Sequence, residues 1–187
     1  MTSTQYFVAS SIDGFIAADD GGLDWLLQFN GFEGGQESYD TFLAGVGAII
    51  MGAETYRFLL DQELESWPYA DTPVWVFSHN KLPAIEGASL TFVSGEVVPV
   101  HADATAAAAG ANIWLVGGGN LVAQFHQAGL LDELLLSVVP VILGSGRPLL
   151  PVSTTTAPLA LVRQRTLGSG VVELSYRLRP AGDGAGI

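Results

Sequence analysis

Three consecutive glycines, Gly117-Gly118-Gly119, follow the apolar stretch Ile113-Trp114-Leu115-Val116 and precede Asn120, where a helical pattern starts. Glycine lets a backbone come close to a ligand, and the first amides of a helix have no partner inside it. A diphosphate fits such a turn, held by amides and by the helix dipole. A tight strand–helix turn needs one glycine, so three in a row favour the ligand reading. The spacing is not the Gly-x-Gly-x-x-Gly fingerprint with a later acidic residue, so an ordinary Rossmann dinucleotide fold is not expected. A second strand–glycine–helix junction lies at Met51-Gly52-Ala53-Glu54-Thr55, with Thr55 in the first helical turn. Its hydroxyl and amide could meet a phosphate, although an ordinary helix cap has the same pattern.

Other residues could carry chemistry with less local support. Ser78-His79-Asn80-Lys81 ends a strand with a polar, partly cationic cluster, and lysine is a competent phosphate partner. Asp13 could serve a reaction or could simply make a turn with Gly14. Trp25 could line a pocket or fill the core. Arg147, in Leu143-Gly144-Ser145-Gly146-Arg147-Pro148-Leu149, could bind an anionic substrate or balance local carboxylates. His79, His101 and His126 are too scattered for a metal site, and the absence of cysteine excludes thiolate chemistry and disulfides. Gly168-Ser169-Gly170 is a turn, not a nucleophile elbow, because it does not lead from a strand into a helix.

The elements that must position these residues alternate. Strands are expected at 5–12, 46–51, 74–78, 89–93, 113–116 and 133–141, with an extended return at 15–17. Helices are expected at 35–43, 54–60, 102–109 and 120–128, the last stopped by Gly129. Segments 159–167 and 171–178 flank the Gly-Ser-Gly turn as a hairpin. This order predicts one α/β domain over residues 1–178. Its central sheet is mainly parallel, with helices on both faces and an antiparallel C-terminal hairpin. Residues 179–187 are expected to be a flexible tail.

Composition narrows the function. The 187 residues carry a net charge of −12 with only 7 Lys+Arg, which argues against nucleic acid and anionic membrane surfaces as partners. A phosphorylated ligand would then have to be held by local amides and helix ends. No apolar run reaches the ~20 residues of a membrane helix. The opening Met-Thr-Ser-Thr-Gln has no signal-peptide character, so the expected location is the cytosol. Mean hydropathy is high, at +0.37. Apolar strands such as 134–141 therefore predict a homodimer, which a monomeric mass in light scattering would refute.

In this order and spacing, Ser11-Ile12-Asp13-Gly14-Phe15-Ile16-Ala17, Met51-Gly52-Ala53-Glu54-Thr55-Tyr56, Val116-Gly117-Gly118-Gly119 and Leu143-Gly144-Ser145-Gly146-Arg147-Pro148-Leu149 resemble the dihydrofolate-reductase-like superfamily. The nearer branch is the RibD C-terminal domain-like one, which holds the reductase domain of bacterial riboflavin biosynthesis proteins. The resemblance spans roughly residues 5–178, by the order of its motifs. It implies about eight strands and NADPH lying across the C-terminal ends of the parallel ones. Gly117, Gly118, Gly119 and Asn120 would cradle the diphosphate. Gly52, Ala53 and Thr55 would face the adenosine side, with Ser78 and His79 near the ribose 2′-phosphate. Ala9, Ser10, Ile16 and Ala17 would border the nicotinamide. Trp25, Asn30 and Arg147 would face the substrate, with Asp13 as the candidate catalytic residue.

The chain departs from the family pattern at two positions. Ala53 stands where many members have a base for the 2′-phosphate, so His79 or Lys81 would have to supply that charge. Asn30, five residues past Trp25, stands where folate-reducing members carry an acid, and a neutral amide cannot make the charge-assisted pair with a pteridine. The expectation is therefore an NADPH-dependent reductase of a small pyrimidine- or pterin-like heterocycle. One alternative is a stand-alone riboflavin-pathway 5-amino-6-(5-phosphoribosylamino)uracil reductase. Another is a non-catalytic nucleotide sensor on the same fold.

Overall fold

The computed structural model describes residues 2–62, 66–69 and 71–178. The expected tail at 179–187 lies outside the described residues. Strands β1 (Thr4–Ser11), β3 (Val46–Gly52), β4 (Val74–Phe77), β5 (Leu90–Val93), β6 (Asn112–Gly117), β7 (Glu133–Val139), β9 (Ala160–Thr166) and β10 (Val172–Arg177) form one 8-stranded sheet, in the order β5-β4-β3-β6-β1-β7-β10-β9. The first six in that order run parallel, while β10 is antiparallel to both β7 and β9. The expected mainly parallel sheet with an antiparallel hairpin is what the structure shows. A separate two-stranded ribbon pairs β2 (Phe15–Ala17) with β8 (Arg147–Pro148).

Short apolar runs become the central strands because they are covered on both sides. On one face, Tyr6, Ile50, Ile113 and Leu115 pack against α4 (Val97–Ala108) and α5 (Gly119–Gln127). On the other, Ile49, Met51, Val74 and Trp114 pack against α2 (Gly35–Leu43) and α3 (Ala53–Asp61). Alanines at 104 and 108 let α4 lie close to the sheet, and a Cβ on Gly47 would stand 2.6 Å from the Ala108 carbonyl oxygen.

Three elements differ from the sequence reading. Helix α4 begins five residues before the expected 102–109, because Pro99 falls in its first turn, where no amide bond is lost. A single helical turn, α1 (Asp24–Leu27), is too short to show a periodic signal. Strand β7 ends at Val139 rather than 141, just before Pro140. The turn of the C-terminal hairpin docks on the chain before α2: the Gly168 amide donates to the Glu33 carbonyl at 2.9 Å. Among the described residues, no helix is long and apolar enough to cross a membrane.

Candidate functional site

The parallel strands end along one edge, at Ser11, Gly52, Phe77, Gly117 and Val139. Strand β6 enters there between β3 and β1, which is where the chain order reverses and where open α/β sheets bind ligands. Helices α3 and α5 both start at this edge. Their N-caps, Gly52 and Gly118, offer no side-chain cap, so the first amides of both helices are left open to a ligand. The two junctions touch. A Cβ on Gly52 would lie 3.7 Å from the Gly117 carbonyl oxygen, and one on Gly117 would lie 3.7 Å from Thr55 Oγ1. The structure thus gathers Gly52, Ala53, Thr55, Gly117 and Gly118 at one point. Ser78 and His79 follow β4, the next strand outward on the same edge. There Ser78 Oγ accepts from the Asn80 amide at 3.1 Å.

The three glycines do different work. Around Gly118 a Cβ would meet nothing within 4 Å, so a ligand could fill that space. Gly119 is buried under the segment after β8, and a Cβ there would stand 3.0 Å from the Leu149 carbonyl oxygen and 3.1 Å from Pro151 Cδ. Its missing side chain serves chain packing. Asn120 is exposed at the helix start.

Beyond β1 lies a compartment of about 220 Å³ lined by Ala9, Leu26, Asn30, Tyr39, Ser137 and Glu173, among others. Ala9 and Asn30 are the two predicted residues that meet there. Burial raises the pKa of the Tyr39 phenol, so it stands as a neutral group on the wall. Ser137 and Glu173 were not legible as site residues. They reach the compartment only because β7 and β10 pair beside β1. Ser10 is buried, and its hydroxyl bonds the Ser11 carbonyl. Ile16 and Ala17 sit half-buried on the β2–β8 ribbon.

Three further expected residues are placed as follows. Asp13 is an exposed clasp. It accepts from Ser11 Oγ at 2.6 Å, the Leu143 amide at 3.1 Å and the Gly144 amide at 2.7 Å. Bonding to the Ser11 hydroxyl, reinforced by those amides, lowers its pKa to about 2, so it holds no proton at neutral pH. Trp25 is buried and does not line this compartment. Its indole N–H has no partner among the described residues. Arg147 also lies outside its lining. Its guanidinium lies 3.9 Å from Glu54 in the first turn of α3, on the glycine-junction side of the edge.

The Asp13 clasp predicts a pH effect. The folded pKa, about 2, is below the unfolded 3.8, so the folded state binds fewer protons. The clasp's contribution is therefore complete above pH 4 and lost as pH falls toward 2. Melting temperatures of wild type and Asp13→Ala should differ at pH 5 and converge near pH 2. A gap independent of pH would show that the carboxylate charge is not what holds the loop.

A family model described as the RibD C-terminal domain matches residues 3–173. The chain belongs to the RibD C-terminal domain family. Within reach of this RibD C-terminal chain is the uncharacterized protein YwjB of Bacillus subtilis (strain 168), 33% identical over 173 residues, or 92% of this chain and 96% of YwjB. A Shewanella sp. PV-4 structure provisionally described as a riboflavin biosynthesis protein has a TM-score of 0.80 at 26% identity, covering 95% of this chain and 100% of that one. Dihydrofolate reductase from Enterococcus faecalis has a TM-score of 0.61 at 12% identity, covering 95% of this chain and 96% of that one, and shares the fold.

Proposed function

We propose that this chain is an NADPH-dependent reductase that transfers hydride to a small pyrimidine- or pterin-like heterocycle. The observation that carries it is the meeting of two glycine-capped helix starts, at Gly52 and Gly118, with open space at Gly118 where a side chain would otherwise stand. Such a cradle suits a diphosphate. The compartment at Ala9 and Asn30 lies two strands from the β3 junction on the same edge and is the size of a heterocyclic ring. The bound cofactor would supply the hydride. The protein's part is to hold the two rings together and exclude water. Further support comes from the shared fold of the Enterococcus faecalis dihydrofolate reductase, whose structure is a complex with NADP(H). Family membership favours a second reading within the same class, a stand-alone reductase of the riboflavin pathway.

Thermal melting with NADPH, NADH and no ligand tests this. A ligand at 100 times its Kd adds about 2.7 kcal/mol. For a domain of this size that is an upward shift of several degrees. NADPH should shift the transition, and more than NADH does if His79 or Lys81 meets the 2′-phosphate in place of a base at 53. No shift with either nucleotide would sink the reductase reading.

A further inference from the structure

Arg147 stands on the β2–β8 ribbon, opposite Ala17. The chain on either side of it is pinned. The Asp13 carboxylate accepts from the amides of Leu143 and Gly144, and Asp19 accepts from the Ser145 hydroxyl. The Leu149 amide donates to the Gly14 carbonyl at 2.9 Å. This stretch also lies on the start of α5, where a Cβ on Gly119 would stand 3.0 Å from the Leu149 carbonyl oxygen. The backbone at 147 is thus held beside one of the two glycine-capped helix starts. The side chain reaches the other, because its guanidinium lies 3.9 Å from the Glu54 carboxylate in the first turn of α3. Arg147 therefore spans from the start of α5 to the start of α3, the two ends that meet at the glycine junctions.

The contact with Glu54 is a loose one. At 3.9 Å it is far longer than a charge-assisted hydrogen bond, and the two side chains are 48% and 77% exposed. Such a pair is weak and easily exchanged. Glu54 does not depend on it either, since a carboxylate in the first turn of a helix is favoured by the helix dipole. A diphosphate at the same helix ends carries more negative charge than one carboxylate. It also presents paired oxygens to the planar guanidinium fork. Without a cation, the approaching anion would meet Glu54 alone and be repelled. The chain has only 7 Lys+Arg and carries Ala53 directly before Glu54, so that cation has to come from another element.

We propose that Arg147 is a cofactor-binding residue that leaves Glu54 for the diphosphate and closes the cradle from the ribbon side. The assignment deepens the reductase reading and rests on it for the identity of the cofactor. It gives the Asp13 clasp a purpose as well, because the loop that Asp13 holds leads directly into the strand from which Arg147 reaches.

Calorimetric titration of the full chain with NADPH and with NADH tests it, in wild type, R147A, R147K and E54Q. The diphosphate is common to both nucleotides, so R147A should weaken both by the same factor, about tenfold for one lost charge-assisted contact. R147K should keep part of the affinity, since it retains the charge without the fork. E54Q should bind both at least as tightly as wild type, because the competing carboxylate is gone. If R147A melts below wild type without ligand, R147Q is read in its place. Affinity within twofold of wild type in R147A overturns the assignment. So does a loss confined to NADPH, which would put Arg147 at the 2′-phosphate, and so does weaker binding of both nucleotides by E54Q. Wild-type protein that binds neither nucleotide would sink the reductase reading together with this one. Wild-type binding that R147A leaves intact would sink only the role of Arg147.

Discussion

Gly119→Ala should lower the melting temperature sharply, whereas the neighbouring Gly118→Ala should leave the protein folded and abolish the NADPH-induced shift. The two glycines are adjacent, but their surroundings differ. A Cβ at 119 would be driven toward the Pro148 carbonyl, 3.0 Å from the Leu149 carbonyl oxygen and 3.1 Å from Pro151 Cδ. Two of these three are backbone oxygens, which cannot swing aside as a side-chain tip could. Overpacking of this kind costs about 1–3 kcal/mol, and the rigid neighbours place it near the top of that range. At 2–4 °C per kcal/mol, the fall should be about 6–12 °C. At 118 a Cβ would meet nothing within 4 Å. It would occupy the cradle between the starts of α3 and α5, so its cost should fall on the ligand. Melting curves of both variants with and without NADPH read the two effects together. Retention of the full NADPH shift by Gly118→Ala would place the diphosphate somewhere else.

The second large effect is expected at Trp114. This residue is 5% exposed and sits at the centre of an aromatic cluster. Its ring centroid lies 5.4 Å from Phe42, 5.7 Å from Tyr69, 6.0 Å from Tyr39 and 6.4 Å from Phe7. The indole N–H donates to the Phe7 carbonyl at 3.3 Å, tying β6 to β1 by a side chain as well as by the ladder. Removing a buried tryptophan typically costs about 3–5 kcal/mol, because the cavity does not close. The expected fall in melting temperature is about 6–20 °C. Phe7 and Tyr39 also line the compartment at Ala9 and Asn30, so the same substitution should disturb its wall in the variant that remains folded. Trp114→Phe keeps an edge-to-face partner for Phe42 and should recover most of the stability. A loss below about 1 kcal/mol for Trp114→Ala would show that the neighbouring rings collapse into the space.

The glycine-junction half of the site was legible because each junction is contained in a few consecutive residues. Strand, glycine and helix start at 113–120 and 51–55 are read from local pattern alone, and the structure brings them together. The compartment at Ala9 and Asn30 was less legible. Ala9 and Asn30 were reached through the family resemblance. Ser137 and Glu173, on the same wall, look in sequence like ordinary alternating positions of strands. Asp13 shows the limit in the other direction. Its position beside Gly14 suited either chemistry or a turn, and its bonds to the amides of Leu143 and Gly144, more than a hundred residues away, could not be read from that local pattern.

The sequence by itself determined the α/β alternation, the antiparallel end, the absence of thiol chemistry and the two phosphate-suited turns, since these follow from periodicity, composition and glycine placement. Tertiary structure decided which strand neighbours which. That choice sets β6 between β3 and β1, lays β7, β10 and β9 beyond β1, and turns Ser137, Glu173 and Arg163 toward one face. Register between strands distant in sequence depends on packing both faces of the sheet at once, so no short window of the chain encodes it.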